Sequence, residues 1–341
     1  MNRVIIRSNN NAYSGACKYM HDKLGFQVLE ISHKNGKSIK SGKEQIVDGF
    51  RSIKGILRYQ PELKNADILI SIGNISNIWL LLLNKLHIIK TKVLLWWGFF
   101  IHRKKVQSIL KIVLKALNSN NIKYLLFSEC ETAMYQQTIG ISAKSMVYIP
   151  YGDWENLPTS YNSEEHGGDY FFGGGYSNRD YRSLLTGWNR YLPNERLILI
   201  GSKNNPDLVE FSNSYKGDKI KVLFDTPSHV FDEYLICSKA CILPFKENTG
   251  ASGQSVMLRC MRLNKIVIST DTDIMKEYVD NGSAFMIQNY DKDLLNAVEL
   301  VNNNPKLCEE MLIRQQKLYL TKFSFMEISK RLKEIVKMID T

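Results

Sequence analysis

The chain has 341 residues, of which 44% are hydrophobic and 23% charged, and its formal net charge is +11. This composition excludes an intrinsically disordered chain, and the length favours two domains. No apolar run approaches the ~20 residues of a membrane-spanning helix, and Met1 leads into a strand without a signal peptide, so we expect a cytoplasmic protein. The six cysteines and six histidines show no metal-ligand spacing, so the sequence predicts neither a metal nor a cofactor.

The first half of the chain alternates predicted strands and helices. Strands are predicted at 3–7, 26–31, 67–72, 92–96, 124–127 and 146–149, with helices near 16–24, 44–59, 76–88, 104–118 and 130–138. Each strand is short and apolar, which is typical of a parallel sheet covered by helices on both faces. Residues 1–151 are therefore predicted to form an N-terminal Rossmann-like domain.

A polar segment with proline and glycine, 152–168, is predicted to link this domain to a second one. The second series of strands is predicted at 169–172, 197–200, 220–223, 240–243, 266–269 and 284–287. We expect residues 169–315 to form a C-terminal Rossmann-like domain. Apolar residues recur at helical spacing within 316–341, which predicts a final helix that packs back. The predicted fold class is α/β, with two doubly wound domains and a C-terminal helix.

The strongest site signal is the glycine-containing loop within residues 244–256, which follows one strand and precedes a helix. Gly250 and Gly253 allow the backbone to approach a ligand, and the helix N-terminus favours an anion. An ordinary β–α turn is the alternative interpretation. The candidate anion-binding residues here are Ser252, Gly253, Gln254 and Ser255.

A second signal follows the first strand of the C-terminal domain. Arg179 is preceded by three glycines, Gly173, Gly174 and Gly175. The glycines leave room for a phosphate to approach, and the arginine is suited to bind it. The alternative is a flexible turn with a solvated Arg179. Gly201 ends the next strand and is a weaker candidate of the same kind.

These segments resemble bacterial glycosyltransferases of group 1, or family 4. The resemblance is carried by residues 127–152, 172–185, 241–268 and 273–282. It implies a GT-B fold and a hexosyltransferase-like enzyme that moves a sugar from a nucleotide-sugar donor to a glycan or lipid-linked acceptor in bacterial surface polysaccharide synthesis. It also implies a retaining, metal-independent mechanism in which Arg179 and Lys246 stabilise the donor diphosphate. The loop residues named above would bind this donor. On the acceptor side it points to Tyr13, Ser14 and Gly15. It also makes His102 a candidate catalytic residue that contacts sugar hydroxyls or polarises a proton, with a surface histidine as the alternative.

The sequence departs from the family at three positions. Ala251 and Arg259 stand where the family often carries two glutamates, and Gly174 stands where an arginine is usual. The alternative function is therefore a catalytically altered or inactive homologue that still binds sugar or nucleotide.

The positive charge is concentrated in the N-terminal half. No acidic residue occurs from 68 to 128, whereas nine basic residues do. A nucleic-acid partner is not expected, because no known nucleic-acid-binding motif is present. An anionic membrane surface is the predicted partner of the helix near 104–118, with a solvated helix face as the alternative. Its basic face is predicted to comprise Lys104, Ser108, Lys111 and Lys115, and its inward face Val106, Ile109, Leu110, Val113 and Leu117.

Overall fold

The computed structural model describes residues 3–8, 21–32, 53–54, 56–72, 76–96, 104–153, 167–246 and 253–340. The chain divides into two units, one of Met1–Asn156 together with Phe325–Thr341 and the other of Leu157–Ser324. Each unit contains a six-stranded sheet in which every described pairing is parallel. The predicted pair of doubly wound α/β domains is confirmed.

The first unit is built on a sheet with the strand order β2-β1-β3-β4-β5-β6. Its strands are β1 (Arg3–Ser8), β2 (Gln27–Ser32), β3 (Ile68–Ile72), β4 (Lys92–Trp96), β5 (Ile122–Leu126) and β6 (Met146–Tyr148). Its helices are α1 (Gln60–Lys64), α2 (Ser76–Lys85), α3 (Lys104–Leu117) and α4 (Glu129–Ile139), and a 3₁₀ turn spans Ala143–Ser145. Because β1 is followed by β2 on one side and by β3 on the other, the strand order reverses between β1 and β3.

The second unit has the strand order β12-β11-β10-β7-β8-β9. Its strands are β7 (Phe171–Gly174), β8 (Leu197–Gly201), β9 (Ile220–Phe224), β10 (Ala240–Leu243), β11 (Ile266–Thr270) and β12 (Phe285–Ile287). Its helices are α5 (Tyr181–Tyr191), α6 (Pro206–Ser214), α7 (Ser228–Cys237), α8 (Gln254–Arg262), α9 (Asp273–Lys276), α10 (Lys292–Asn303) and α11 (Pro305–Leu318), followed by a π-turn at Tyr319–Phe323. Here the strand order reverses between β7 and β10.

The last helix, α12 (Phe325–Asp340), belongs to the first unit. Its apolar residues enter the core formed with β1, β3, β4 and β5, and the buried ones are Ile328, Leu332, Ile335, Val336 and Ile339. The Lys92 ammonium group also donates to the Ile339 carbonyl at 2.7 Å, which ties the start of β4 to the end of the helix. Residues 316–324, which the sequence analysis assigned to the final helix, instead end α11 and form the π-turn.

All twelve predicted strands are present, with ends within two residues of their predicted positions. On α3, Ser108, Lys111 and Lys115 are exposed as predicted, and Val113 and Leu117 are partly buried. The prediction was wrong at one edge of the inward face. Leu114 is fully buried, whereas Ile109, which was predicted to point inward, is 64% exposed. Five residues separate the two, so their side chains point about 140° apart around the helix axis.

Candidate active site at the carboxyl end of the C-terminal sheet

The two glycine-containing loops meet where the strand order of the second sheet reverses. The loop after β7 and the loop after β10 form an antiparallel bridge between Arg179 and Phe245. Two backbone bonds flank it, from the Asp180 N–H to the Pro244 carbonyl at 2.9 Å and from the Lys246 N–H to the Asn178 carbonyl at 3.3 Å. Open α/β sheets bind ligands outside the carboxyl ends of their strands at such a reversal. The geometry therefore unites two segments that the sequence identified separately.

Arg179 occupies the centre of this junction and is only 3% exposed. Its Nε donates to the Gly174 carbonyl at 3.1 Å, and its Nη1 donates to the Ser177 carbonyl at 2.8 Å. The guanidinium carbon lies 4.5 Å from the centre of the Phe245 ring. Backbone and aromatic contacts thus fix the side chain, which is buried and not solvated.

Among the residues that the structure describes, no acidic side chain neutralises the charge of Arg179. Burial lowers the pKa of its guanidinium from the ordinary value, but an arginine stays protonated near neutral pH. Within the ranges that the structure describes, no carboxylate forms an ion pair with it. A buried cation without an anion is costly, so an anionic ligand at this junction would be stabilised.

The N-terminus of α8 lies close to the same guanidinium, since a Cβ at Gly253 would be 3.4 Å from Nη1 of Arg179. Gly253 precedes the helix with φ of 87°, no side chain caps it, and the first turn holds no acidic residue. Gln254 is 5% exposed, and its amide nitrogen has no hydrogen-bond partner among the described residues. The free N–H groups and the helix dipole make this end electropositive. Two features that favour an anion therefore converge.

The three glycines after Phe172 serve different purposes. Gly173 and Gly174 lie within β7, where a Cβ would approach Leu199 to 2.7 Å and the Phe231 ring to 2.4 Å. Gly175 has φ of 134°, and a Cβ there would lie 2.3 Å from Nη2 of Arg179. The first two glycines thus allow the sheet to pack, and Gly175 makes room for the arginine. Gly201 is also a packing glycine, since its Cβ would lie 2.4 Å from Leu208.

The side chain of Lys246 lies beside the first turn of α6. Its exposed side chain places Nζ 3.7 Å from Asp207, which also accepts two bonds from Arg182 at 2.9 and 3.0 Å. Ser255 is exposed in the first turn of α8. The remaining predicted site residues, Tyr13, Ser14, Gly15, His102, Ala251 and Ser252, lie outside the described residues.

Arg259 is held by helix α7. Its guanidinium lies 3.2 Å from Asp232, donates to the Ser228 hydroxyl at 2.8 Å and stacks 5.2 Å from the Phe231 ring centre. Asp232 is 1% exposed and also lies 3.7 Å from Arg262. The sequence analysis missed Asp232, because nothing in the local pattern of α7 distinguishes a buried acid from a surface one.

Thr270 is a second residue that the sequence analysis missed. Its hydroxyl accepts the Phe245 N–H at 3.0 Å and lies 2.9 Å from the Tyr290 hydroxyl. It thereby fixes the peptide of the residue on which Arg179 stacks. Its place at the end of β11, on the carboxyl edge of the sheet, is the signal that identifies it as a candidate.

Replacing Thr270 with valine is expected to lower the free energy of unfolding by about 1–3 kcal/mol, because the shape is kept while the Phe245 N–H loses its acceptor. Urea unfolding measures the change. Thr186→Val is the matched control, since this exposed hydroxyl bonds only the Arg182 carbonyl among the described groups. Equal midpoints for the two variants would contradict a positioning role for Thr270.

No protein-family model and no curated protein matches the sequence. Solved structures do match over almost the whole chain. A glycosyltransferase from Rickettsia africae is 15% identical with a TM-score of 0.71, over 99% of this chain and 98% of the other. HepE of Anabaena, solved with UDP, is 11% identical with a TM-score of 0.73, over 99% and 100%. Sucrose-phosphate synthase of Thermosynechococcus elongatus is 12% identical with a TM-score of 0.69, over 99% of each chain. The chain therefore has the GT-B fold of group 1 glycosyltransferases, as the sequence resemblance predicted.

Proposed function

We propose that this protein is a glycosyltransferase that uses a nucleotide-sugar donor. The observation that carries the proposal is the buried Arg179 beside the N-terminus of α8, where the strand order reverses and no described carboxylate pairs with its charge. Two comparisons support the proposal. A solved structure with the same fold is named a glycosyltransferase, and HepE has been crystallised in complex with UDP and with UDP-glucose. A sugar diphosphate supplies the anion that this junction favours.

The proposed chemistry follows from where charge develops. As the bond between sugar and diphosphate breaks, the leaving group gains negative charge. Arg179 is already held in place by two backbone carbonyls and the Phe245 ring, and the start of α8 lies beside it, so we propose that they stabilise this charge without rearrangement. We propose a retaining, hexosyl-transferring and metal-independent reaction, with Lys246 as a further cation for the diphosphate once it leaves Asp207.

The proposed acceptor is a glycan or a lipid-linked glycan used in bacterial surface polysaccharide synthesis. The basic N-terminal unit supports a peripheral association with an anionic membrane, where such acceptors lie. Within the described ranges, no helix has the length and apolar character to cross a membrane.

A screen of UDP-, GDP-, CMP- and dTDP-sugars by calorimetry is expected to show binding by at least one nucleoside-diphosphate sugar, because the junction favours the charge of a diphosphate. CMP-sugars, which carry one phosphate, are expected to bind weakly. Transfer to acceptor should persist in EDTA, and NMR of the product should show the donor's anomeric configuration. Absence of binding by every nucleotide would contradict the proposal, and loss of turnover in EDTA would contradict its metal-independent part.

A catalytically altered homologue is the second candidate. Arg259, which replaces a family glutamate, is engaged by Asp232 and Ser228 and is thereby built into the domain. Tight nucleotide-sugar binding without transfer or donor hydrolysis, across a panel of glycan acceptors, would favour this candidate over the enzyme.

A further inference from the structure

A groove of about 930 Å³ runs beside α11 in the C-terminal unit. It reaches the amino ends of β10 and β11, where Lys239 and Lys265 contribute polar groups to it. Arg179 lies at the carboxyl end of the same sheet, so the groove is separate from the candidate active site. The apolar lining of the groove consists of Val301, Pro305, Leu312, Ile313 and Leu320.

Two large apolar side chains project from α11 and from the π-turn that follows it. Ile313 is 64% exposed and Leu320 is 58% exposed. The helix is already anchored to its domain by another face, on which Met311 and Gln315 are buried. A projecting ridge beside a groove is a shape that fits a second copy of itself across a two-fold axis, because the ridge of each copy can enter the groove of the other.

The charges on this face are arranged evenly about Ile313. Glu309 precedes it by four residues and Lys317 follows it by four, and both are exposed. At 100° per residue, each lies about 40° from Ile313 around the helix axis, on opposite sides of it. Neither charge forms an ion pair with a described residue. Both charges are therefore open to a partner outside the chain.

We propose that α11 forms the interface of a homodimer, in which it packs antiparallel to α11 of a second copy. A two-fold axis through Ile313 brings Glu309 opposite the partner's Lys317, and by symmetry Lys317 opposite the partner's Glu309. The same register brings Leu320 to the partner's Pro305, which lines the groove.

Charge complementarity selects this occupant over other surfaces. The exposed part of α11 carries Glu309 and Glu310 as well as basic residues, so an anionic surface would be repelled by its acids. A second copy satisfies both signs of charge at once, because an isologous interface repeats every contact. The dimer does not depend on the proposed enzymatic activity, and it leaves the carboxyl end of the sheet accessible to a donor.

The test is sedimentation velocity of the full chain over a range of concentrations, which is expected to show a monomer–dimer equilibrium. Ile313→Ser is expected to raise the dimer Kd about 100-fold, because symmetry removes two buried side chains at once. Ile112→Ser is the matched control, since Ile112 is 72% exposed on α3 and should leave the Kd unchanged.

Charge reversal tests the antiparallel register. Glu309→Lys alone, or Lys317→Glu alone, places like charges opposite each other at both symmetry-related contacts and is expected to raise the Kd about tenfold. The double variant restores two attractive pairs and is expected to dimerise as the original chain does. Glu299→Lys and Lys292→Glu are the controls, because both residues are exposed on α10 and neither lines the groove. Since every substituted residue is exposed, circular dichroism should be unchanged throughout.

Three results would overturn the proposal. A chain that stays monomeric at every concentration would leave this face to a different partner. A dimer that Ile313→Ser leaves intact would place the interface elsewhere. A double charge variant that dimerises no better than the single variants would exclude the pairing of Glu309 with the partner's Lys317.

Discussion

Replacing Gly253 with valine is expected to abolish sugar transfer and to destabilise the protein by about 2–3 kcal/mol. A β-branched residue at φ of 87° is strained, and strain of this kind costs about 1–3 kcal/mol. In addition, the Cβ would lie 2.1 Å from the Phe245 ring, so the ring must move. Because Arg179 stacks on that ring, its displacement carries the guanidinium out of position. Thermal unfolding, and an activity assay with a nucleotide sugar that binds in the proposed screen, measure the two effects.

Gly25 is the matched control for this substitution. Its φ is 70°, but a Cβ there would meet nothing within 4 Å. Gly25→Val therefore carries the backbone strain without the collision and should keep its transfer activity. Normal turnover by the Gly253 variant would show that the loop serves the fold alone.

Replacing Arg179 with methionine is expected to weaken donor binding about 10- to 100-fold, since a charge-assisted hydrogen bond contributes about 1.5–3 kcal/mol. The free energy of unfolding should change by less than either of two opposing contributions. The Gly174 and Ser177 carbonyls lose their donor, which costs about 1–3 kcal/mol each, but the removal of an unpaired buried charge offsets it by about 1–4 kcal/mol. Methionine retains packing against Phe245. Calorimetry with the nucleotide that binds best, and urea unfolding, separate the two quantities.

Arg190→Met is the control, because Arg190 is exposed at the end of α5 and should affect neither measurement. Unchanged nucleotide affinity in the Arg179 variant, whatever its stability, would exclude this residue from the donor site. Arg179→Lys is a further test. Lysine keeps the positive charge but lacks the planar guanidinium that donates to both carbonyls, so this variant is expected to recover part of the nucleotide affinity.

The local sequence determined the order of strands and helices. Buried parallel strands must be apolar on both faces, so segments such as 240–243 and 266–269 stand out from their polar flanks wherever they pair. Loops at strand ends can also be recognised in the sequence, because glycine and polar residues interrupt the apolar runs there. For that reason the sequence identified both Arg179 and Gly253 as candidates, although their loops are more than seventy residues apart.

The roles of these candidate residues depend on their tertiary contacts. Arg179 was expected to be free for phosphate or solvated, whereas Phe245 and two carbonyls hold it in the interior. Gly173 and Gly174 are required by Leu199 and Phe231, neighbours that no local pattern specifies. Likewise, the rotation of α3 about its axis is set by the residue that packs into the core. That residue is Leu114, and Ile109 is consequently exposed. Periodicity indicates that a helix has two faces, but only packing against the neighbouring elements selects the one that is buried.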